Sequence, residues 1–311
     1  MSSPSENTLK IGIVGFGPFA QFLAKTMIKQ GHSITATSRS DYSNLCTQMG
    51  ISFFRNMNEF LESDNDVILF CTSILSLSQV ISTIPFNFMK KPALFADVLS
   101  VKEHPRDLML QVCTFFEILD SCFMIMDCFS VLYVWMETNS FSGKVLPHES
   151  DVLCTHPMFG PDSGKHGWNG LSFMYDKIRI RNEDICSSFL QIFASEGCKM
   201  MEMTCEEHDK SAARTQFVTH FIGRLLGQMD IERTPIDTLG FQKLVEVKES
   251  TMRDSLDLFG GLFIHNRFAK EELRKLELAF ETTKQQLRKG EDEKQEPSIQ
   301  TLQLTEQEVN L

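Results

Sequence analysis

The chain has 311 residues and a formal net charge of −11 at pH 7. That length holds two domains with a sizeable core, and the acidic balance argues against a general nucleic-acid binder or a protein of anionic membrane surfaces. Nine cysteines without a Cys-x-x-Cys pair read as buried, reduced thiols in a cytosol-like compartment, and eight histidines without zinc-ligand spacing give no reason to expect a metal.

An apolar strand, Leu9–Val14, runs into Gly15-Phe16-Gly17-Pro18-Phe19-Ala20, which opens a helix over Gly17–Lys29 and leads to a strand at Ser33–Thr37. Strand, Gly-x-Gly-x-x-Ala turn, helix and strand form the βαβ unit that lays a pyrophosphate on a helix N-terminus. Gly15 allows the tight turn, Gly17 the close approach of phosphate, and Ala20 the packing of helix on strand. The second strand ends in Ser38-Arg39-Ser40. An NAD site usually places an acid there for the ribose 2′-hydroxyl, whereas these donors and a fixed cation suit a 2′-phosphate. The cofactor expected is therefore NADP, held by Gly15, Gly17, Pro18, Phe19, Ser38, Arg39 and Ser40, with Thr72 and Ser73 at the end of the fourth strand.

Further along come a short strand near Ile51–Phe54, a helix at Met57–Glu62, a strand at Asp66–Cys71 and a helix at Leu75–Thr83. A strand at Ala93–Val98 and a helix at Glu103–Gln111 follow. After Cys154 the pattern continues with Leu171–Ile180 strand-like, Asp184–Ser195 helical and Cys198–Met203 strand-like. Strands alternating with helices imply a parallel sheet covered on both faces. From Glu206 onward only helices are predicted, over His208–Met229, Asp237–Asn266 and Lys270–Lys289. The fold class is α/β, a Rossmann-type dinucleotide-binding domain over 1–204 followed by an all-helical substrate and dimerisation domain over 205–289. Residues 290–311 form an acidic tail with little to bury, expected to be disordered.

An apolar insertion over 113–145 interrupts what is otherwise a short helix-to-strand loop. Asp120, Asp127 and Glu137 break its apolar runs before the roughly 18 residues a membrane helix needs. It reads either as a regulatory or interaction element or as retained non-coding sequence. With only Met1–Thr8 before the first strand, no leader is visible. The expected location is cytoplasmic, or the chloroplast if the N-terminus is truncated.

Ligands of an open α/β sheet bind outside the carboxyl ends of its strands. Two further strand ends carry chemistry: Asp97-Val98-Leu99-Ser100-Val101-Lys102 and Thr155-His156-Pro157-Met158-Phe159-Gly160-Pro161. His156 reads as a general base or as a strand-end histidine bonded to backbone. Ser100 reads as a partner of His156 or as a helix N-cap paired with Glu103. Lys102 is expected to be solvated.

The Thr-His-Pro-Met-Phe-Gly-Pro run, followed by Ser163-Gly164-Lys165 and Gly167-Trp168, resembles the prephenate/arogenate dehydrogenases of tyrosine biosynthesis, the plant branch above all. Cys205-Glu206-Glu207-His208-Asp209, Gln216–Arg224 and Asp257–Phe263 add to the resemblance, which runs from about Leu9 to Gln286 without the insertion. The resemblance implies oxidative decarboxylation of a cyclohexadienol, with His156 and Ser100 catalytic and with Gln216, Thr219, His220, Thr251 and Asp254 lining the substrate pocket. It also implies a homodimer and tyrosine as a feedback inhibitor. Plant arogenate-type enzymes resemble this chain in having Asp at position 254, whereas legume prephenate-type relatives look like Met at 251 and Asn at 254. A carboxylate there suits the ammonium of arogenate and gains nothing from the ketone of prephenate. Arogenate is therefore the expected substrate, with prephenate the alternative, although the surrounding sequence looks closer to the legume branch. Two other readings stay open. One is a β-hydroxyacid dehydrogenase, which needs a catalytic lysine such as Lys210. The other is a non-catalytic NADP-binding protein, in which the insertion displaces the strand carrying His156.

Overall fold

The structure, a computed structural model, describes residues 8–110 and 149–307, with side chains to residue 290. The insertion at 113–145 lies outside the described residues. Eight strands form one sheet: β1 Lys10–Val14, β2 Ser33–Thr37, β3 Ser52–Phe54, β4 Val67–Phe70, β5 Leu94–Asp97, β6 Asp151–Pro157, β7 Ser172–Arg179 and β8 Lys199–Glu202. Their spatial order is β3-β2-β1-β4-β5-β6-β7-β8. The order reverses beside β1, which opens the crevice that a dinucleotide fold uses.

The sheet is not wholly parallel. β7 runs antiparallel to β6, and β8 runs parallel to β7. Residues 158–171 join β6 to β7 through turns, without the helix that a parallel crossover usually carries. Trp168 anchors that connection, with ring centroids 5.3 Å from Phe159, 5.5 Å from Phe22 and 5.6 Å from Phe193.

Helices α1 Pro18–Lys29, α2 Ser43–Met49, α3 Met57–Leu61, α4 Leu77–Thr83, α5 over 103–110 and α6 Glu183–Ser195 accompany the strands. The central strands are buried on both faces, and alternate residues feed two cores. Ile11, Ile13, Val67, Leu69 and Leu153 pack with α1 and α6. Ile68, Phe70, Phe95, Val152 and Cys154 pack on the opposite side, where Cys205, Phe217 and Leu262 of the helical region join them. The spacing that turns Val152 and Cys154 toward that region also turns His156 toward it.

The single helix expected over His208–Met229 is α7 Cys205–Ala212, a π-helical turn Ala213–Phe217 and α8 Val218–Gln228. The one expected over Asp237–Asn266 is α9 Leu239–Arg253 and α10 Leu256–Ile264. Its break has a local cause: Asp254 is extended (φ −72°, ψ 147°), and the Ser255 hydroxyl caps α10 by accepting from Leu258 N at 3.1 Å. Helix α11, Ala269–Gln307, continues past residue 290, where composition predicts disorder. Its Glu, Lys and Gln content favours helix even where little can be buried.

Candidate active site

A cleft of about 510 Å³ lies between the carboxyl ends of β4, β5 and β6 and the helical region. Phe19, Thr72, Ser73, Ser100, His156, Gln216, His220 and Asp254 all line it. Residues from four strand or helix ends and from both regions of the chain therefore meet in one place.

The turn after β1 provides the cofactor end. Gly15 has φ +91°, and a Cβ there would lie 2.8 Å from the Cys71 carbonyl oxygen, so glycine is needed on both counts. Gly17 is the N-cap of α1, with Pro18 following, and no side chain caps the helix. A Cβ on Gly17 would meet nothing within 4 Å, leaving an open cradle over uncapped N–H groups. Thr72 adds a buried hydroxyl without a hydrogen-bond partner among the described residues. This donor set fits a dinucleotide pyrophosphate. Ser73 Oγ is occupied by Ser76 Oγ at 2.8 Å. At the end of β2, Arg39 and Ser40 are exposed and Ser38 is half-buried. The nearby acid, Asp41, is engaged elsewhere: it accepts from Ser43 N at 2.9 Å and lies 3.6 Å from Arg55.

His156 occupies the centre of the cleft, 3% exposed. Its Nδ1 lies 2.8 Å from His208 Nε2, and His208 Nδ1 lies 2.8 Å from Asp209 Oδ1. The Asp209 carboxylate also accepts from Lys102 N at 2.7 Å and from Glu103 N at 2.9 Å, capping α5. Burial above all, with the positive charge of Lys102 acting in the same direction, holds the His156 pKa well below the usual histidine value.

Two expectations around His156 are corrected. Lys102 is fully buried rather than solvated, and its ammonium bonds the Asp97 carboxylate and the Thr155 carbonyl, tying β5 to β6. Ser100 lines the cleft but does not cap the 103–110 helix; Asp209 does so from another part of the chain. Among the described residues Ser100 makes no hydrogen bond to His156.

On the helical side, Gln216 comes from the π-helical turn and His220 from the first turn of α8. Gln216 Oε1 and His220 Nδ1 are buried without partners among the described residues, which leaves polar atoms for a ligand. His220 Nε2 lies 3.8 Å from Asp254 Oδ2. Burial lowers the His220 pKa while Asp254 raises it, and burial has the larger effect. Arg253 turns away to Asp162 at 3.1 Å, so Asp254 is not its partner. Thr219 is exposed and Thr251 is buried against Gly223 with its hydroxyl on Val247 O at 2.8 Å; neither lines the cleft. Lys210 is exposed and also outside it.

His208 and Asp209 received no role from sequence reasoning. The available signal was their spacing: with Cys205 and Ala212 they form the buried face of α7. A His-Asp pair on such a face has to find polar partners.

Comparison with known proteins agrees with this fold. A family model described as NADP oxidoreductase coenzyme F420-dependent matches residues 10–98, and one described as TYRAAT1-like, C-terminal domain matches residues 225–299. The chain is 48% identical over 283 residues to Arogenate dehydrogenase 1, chloroplastic, and 45% identical over 285 residues to Arogenate dehydrogenase 2, chloroplastic, both of Arabidopsis thaliana. Each match covers 90% of this chain, but the chain spans 39% of the first relative and 70% of the second. Among solved structures, prephenate dehydrogenase from A. aeolicus superposes with a TM-score of 0.63 at 14% identity, covering 98% of this chain and 100% of that one. Synechocystis arogenate dehydrogenase gives 0.56 at 15% identity, covering 97% and 99%. These structures share the Rossmann-like sheet followed by helices.

Proposed function

The chain belongs to the arogenate/prephenate dehydrogenase family, and from that premise we propose that it converts arogenate to tyrosine by oxidative decarboxylation with NADP. The observation that carries this reading is one cleft lined by both a buried histidine, His156, and an acid, Asp254, whose carboxylate lies 3.8 Å from His220.

A bound nicotinamide supplies the hydride acceptor. The chain must orient the ring, hold a base on the hydroxyl and keep water out. His156, held as the free base by burial, takes the hydroxyl proton as the ring C–H pair leaves as hydride, and that carbon becomes a carbonyl. Loss of carbon dioxide returns its bonding pair through the ring to the carbonyl oxygen. That oxygen recovers the proton from His156 as a phenol. Gln216 and His220 present polar atoms without protein partners to the substrate. Asp254 pairs with the ammonium of arogenate, and tyrosine, which carries the same ammonium, competes for the pocket as a feedback inhibitor. Ser38, Arg39 and Ser40 hold the 2′-phosphate of NADP. Strand β6 stands in register on β5, with Asp97 opposite Cys154, which supports the catalytic reading over one in which the strand carrying His156 is displaced.

The test is NADPH formation by purified protein with arogenate and prephenate in parallel. Faster turnover of arogenate is expected. Asp254→Asn should lower kcat/KM for arogenate about tenfold, the scale of one charge-assisted contact, without lowering it for prephenate. A wild-type preference for prephenate would overturn the role of Asp254, and absence of turnover with both would overturn the enzymatic reading.

A further inference from the structure

We infer that His208 and Asp209 are positioning residues that fix the tautomer of His156, leaving the lone pair of its Nε2 open to the cleft. This rests on the reading of His156 as the base. Asp209 is an acceptor only, and its two oxygens already receive the backbone N–H groups of Lys102 and Glu103 at 2.7 and 2.9 Å. The contact of 2.8 Å from His208 Nδ1 to Oδ1 therefore places a proton on His208 Nδ1. Three N–H donors and the N-terminus of α5 answer the negative charge of Asp209, so His208 need not be an imidazolium.

In neutral His208, Nε2 is an acceptor. Its contact of 2.8 Å with His156 Nδ1 then places a proton on His156 Nδ1 and leaves His156 Nε2 unprotonated. His156 makes no other hydrogen bond among the described residues, and it faces the cleft. The opposite tautomer would point an N–H at the substrate hydroxyl, and no base would be available. The chain is also fixed mechanically. The carbonyl oxygen of Asp209 accepts from Asn266 Nδ2 at 2.7 Å, and Cys205 N at the start of α7 donates to Asp176 Oδ2 on β7 at 2.7 Å. When His156 takes the hydroxyl proton, its new charge faces Asp209 through His208. The other charged or titratable groups around it are Lys102 with its partner Asp97, and His220 and Asp254 across the cleft.

The experiment uses two variants and a spectroscopic readout on the 311-residue chain. His208→Gln keeps the relay, since its amide can accept from His156 Nδ1 and donate to Asp209. His208→Phe removes it. Phe is expected to lower kcat about 100-fold or more, the scale of a general base, with KM for arogenate and NADP within about threefold; Gln should restore most of the loss. Proton–nitrogen correlation spectra of ¹⁵N-histidine-labelled protein read the tautomer directly, with the His156 signals identified by their loss in His156→Asn. Wild type and His208→Gln should show His156 protonated at Nδ1, and His208→Phe should show the Nε2–H form gaining. Wild-type His156 protonated at Nε2, His208 protonated at both nitrogens, or a Phe variant with unchanged tautomer and kcat would each overturn the inference. A chain that turns over neither arogenate nor prephenate, yet shows the Nδ1–H tautomer lost in His208→Phe, would overturn the catalytic reading and leave the positioning intact.

Discussion

At the scale of single residues, burial decides which protonation states the site can use. His156 is held well below the ordinary histidine pKa of 6.5 by loss of solvent first, and then by Lys102. The base form therefore persists as pH falls through 6.5, and kcat/KM should stay level there and decline only at lower pH. A pH profile of kcat/KM with its acid limb centred at 6.5 or above would contradict this. Arg39 makes no ion pair with protein among the described residues, which leaves its charge for a ligand. Arg39→Ala should raise KM for NADP about tenfold or more, the scale of a hydrogen bond to a charged group, and leave KM for NAD unchanged. The glycine turn and Ser38-Arg39-Ser40 were legible because their chemistry is local to a few consecutive residues. Lys102 was not, because its ammonium is satisfied by Asp97 and by the Thr155 carbonyl on another strand, a pairing the chain makes only once β5 and β6 align.

At the scale of elements, apolar periodicity located nearly every strand and helix but did not show where helices change geometry. The π-helical turn at Ala213–Phe217 departs from the regular spacing for one turn only, too little to disturb the pattern, yet it carries Gln216 into the cleft. The break at Asp254 had a readable sign in the capping serine that follows, masked by apolar residues on either side. Helix α10 meets the turn over Ile74–Ser76 at the wall of the cleft, and two adjacent glycines differ sharply there. A Cβ on Gly261 would come within 2.7 Å of Ile74 Cβ, whereas one on Gly260 would find only Leu75 Cδ1 at 3.8 Å. Gly261→Ala should destabilise the protein by about 1–3 kcal/mol through overpacking. Gly260→Ala should stabilise it by about 0.5–1 kcal/mol through helix propensity. Denaturant unfolding of the two variants checks both signs.

At the scale of the whole molecule, the helical region leaves apolar side chains in water. Ile236 is 90% exposed and Leu239 78%, and Met229, Leu256 and Ile264 are exposed as well. We propose that a second copy of the chain covers them. Sedimentation should give twice the mass of the 35.5 kDa chain, and the double substitution Leu239→Glu and Leu256→Glu should yield monomers. Stability should also follow pH. Burial lowers the pKa of His104 to about 4 and depresses those of His156 and His220, so below 6.5 the unfolded chain binds protons that the folded one refuses. Stability is therefore expected to fall as pH drops from 6.5 toward 4, seen as a lower Tm at pH 5 than at pH 7. The acid at the break between α9 and α10 has a different consequence, one for descent rather than for chemistry. Among the described residues the Asp254 carboxylate caps no helix and makes only the contact of 3.8 Å with His220, while its backbone is held by Arg224 Nη2 donating to its carbonyl at 2.7 Å. The backbone hold does not depend on which side chain the position bears. On the proposed role of Asp254, substrate preference is written where an exchange need not disturb the fold, and a lineage could drift between one substrate and the other without passing through an unstable intermediate sequence.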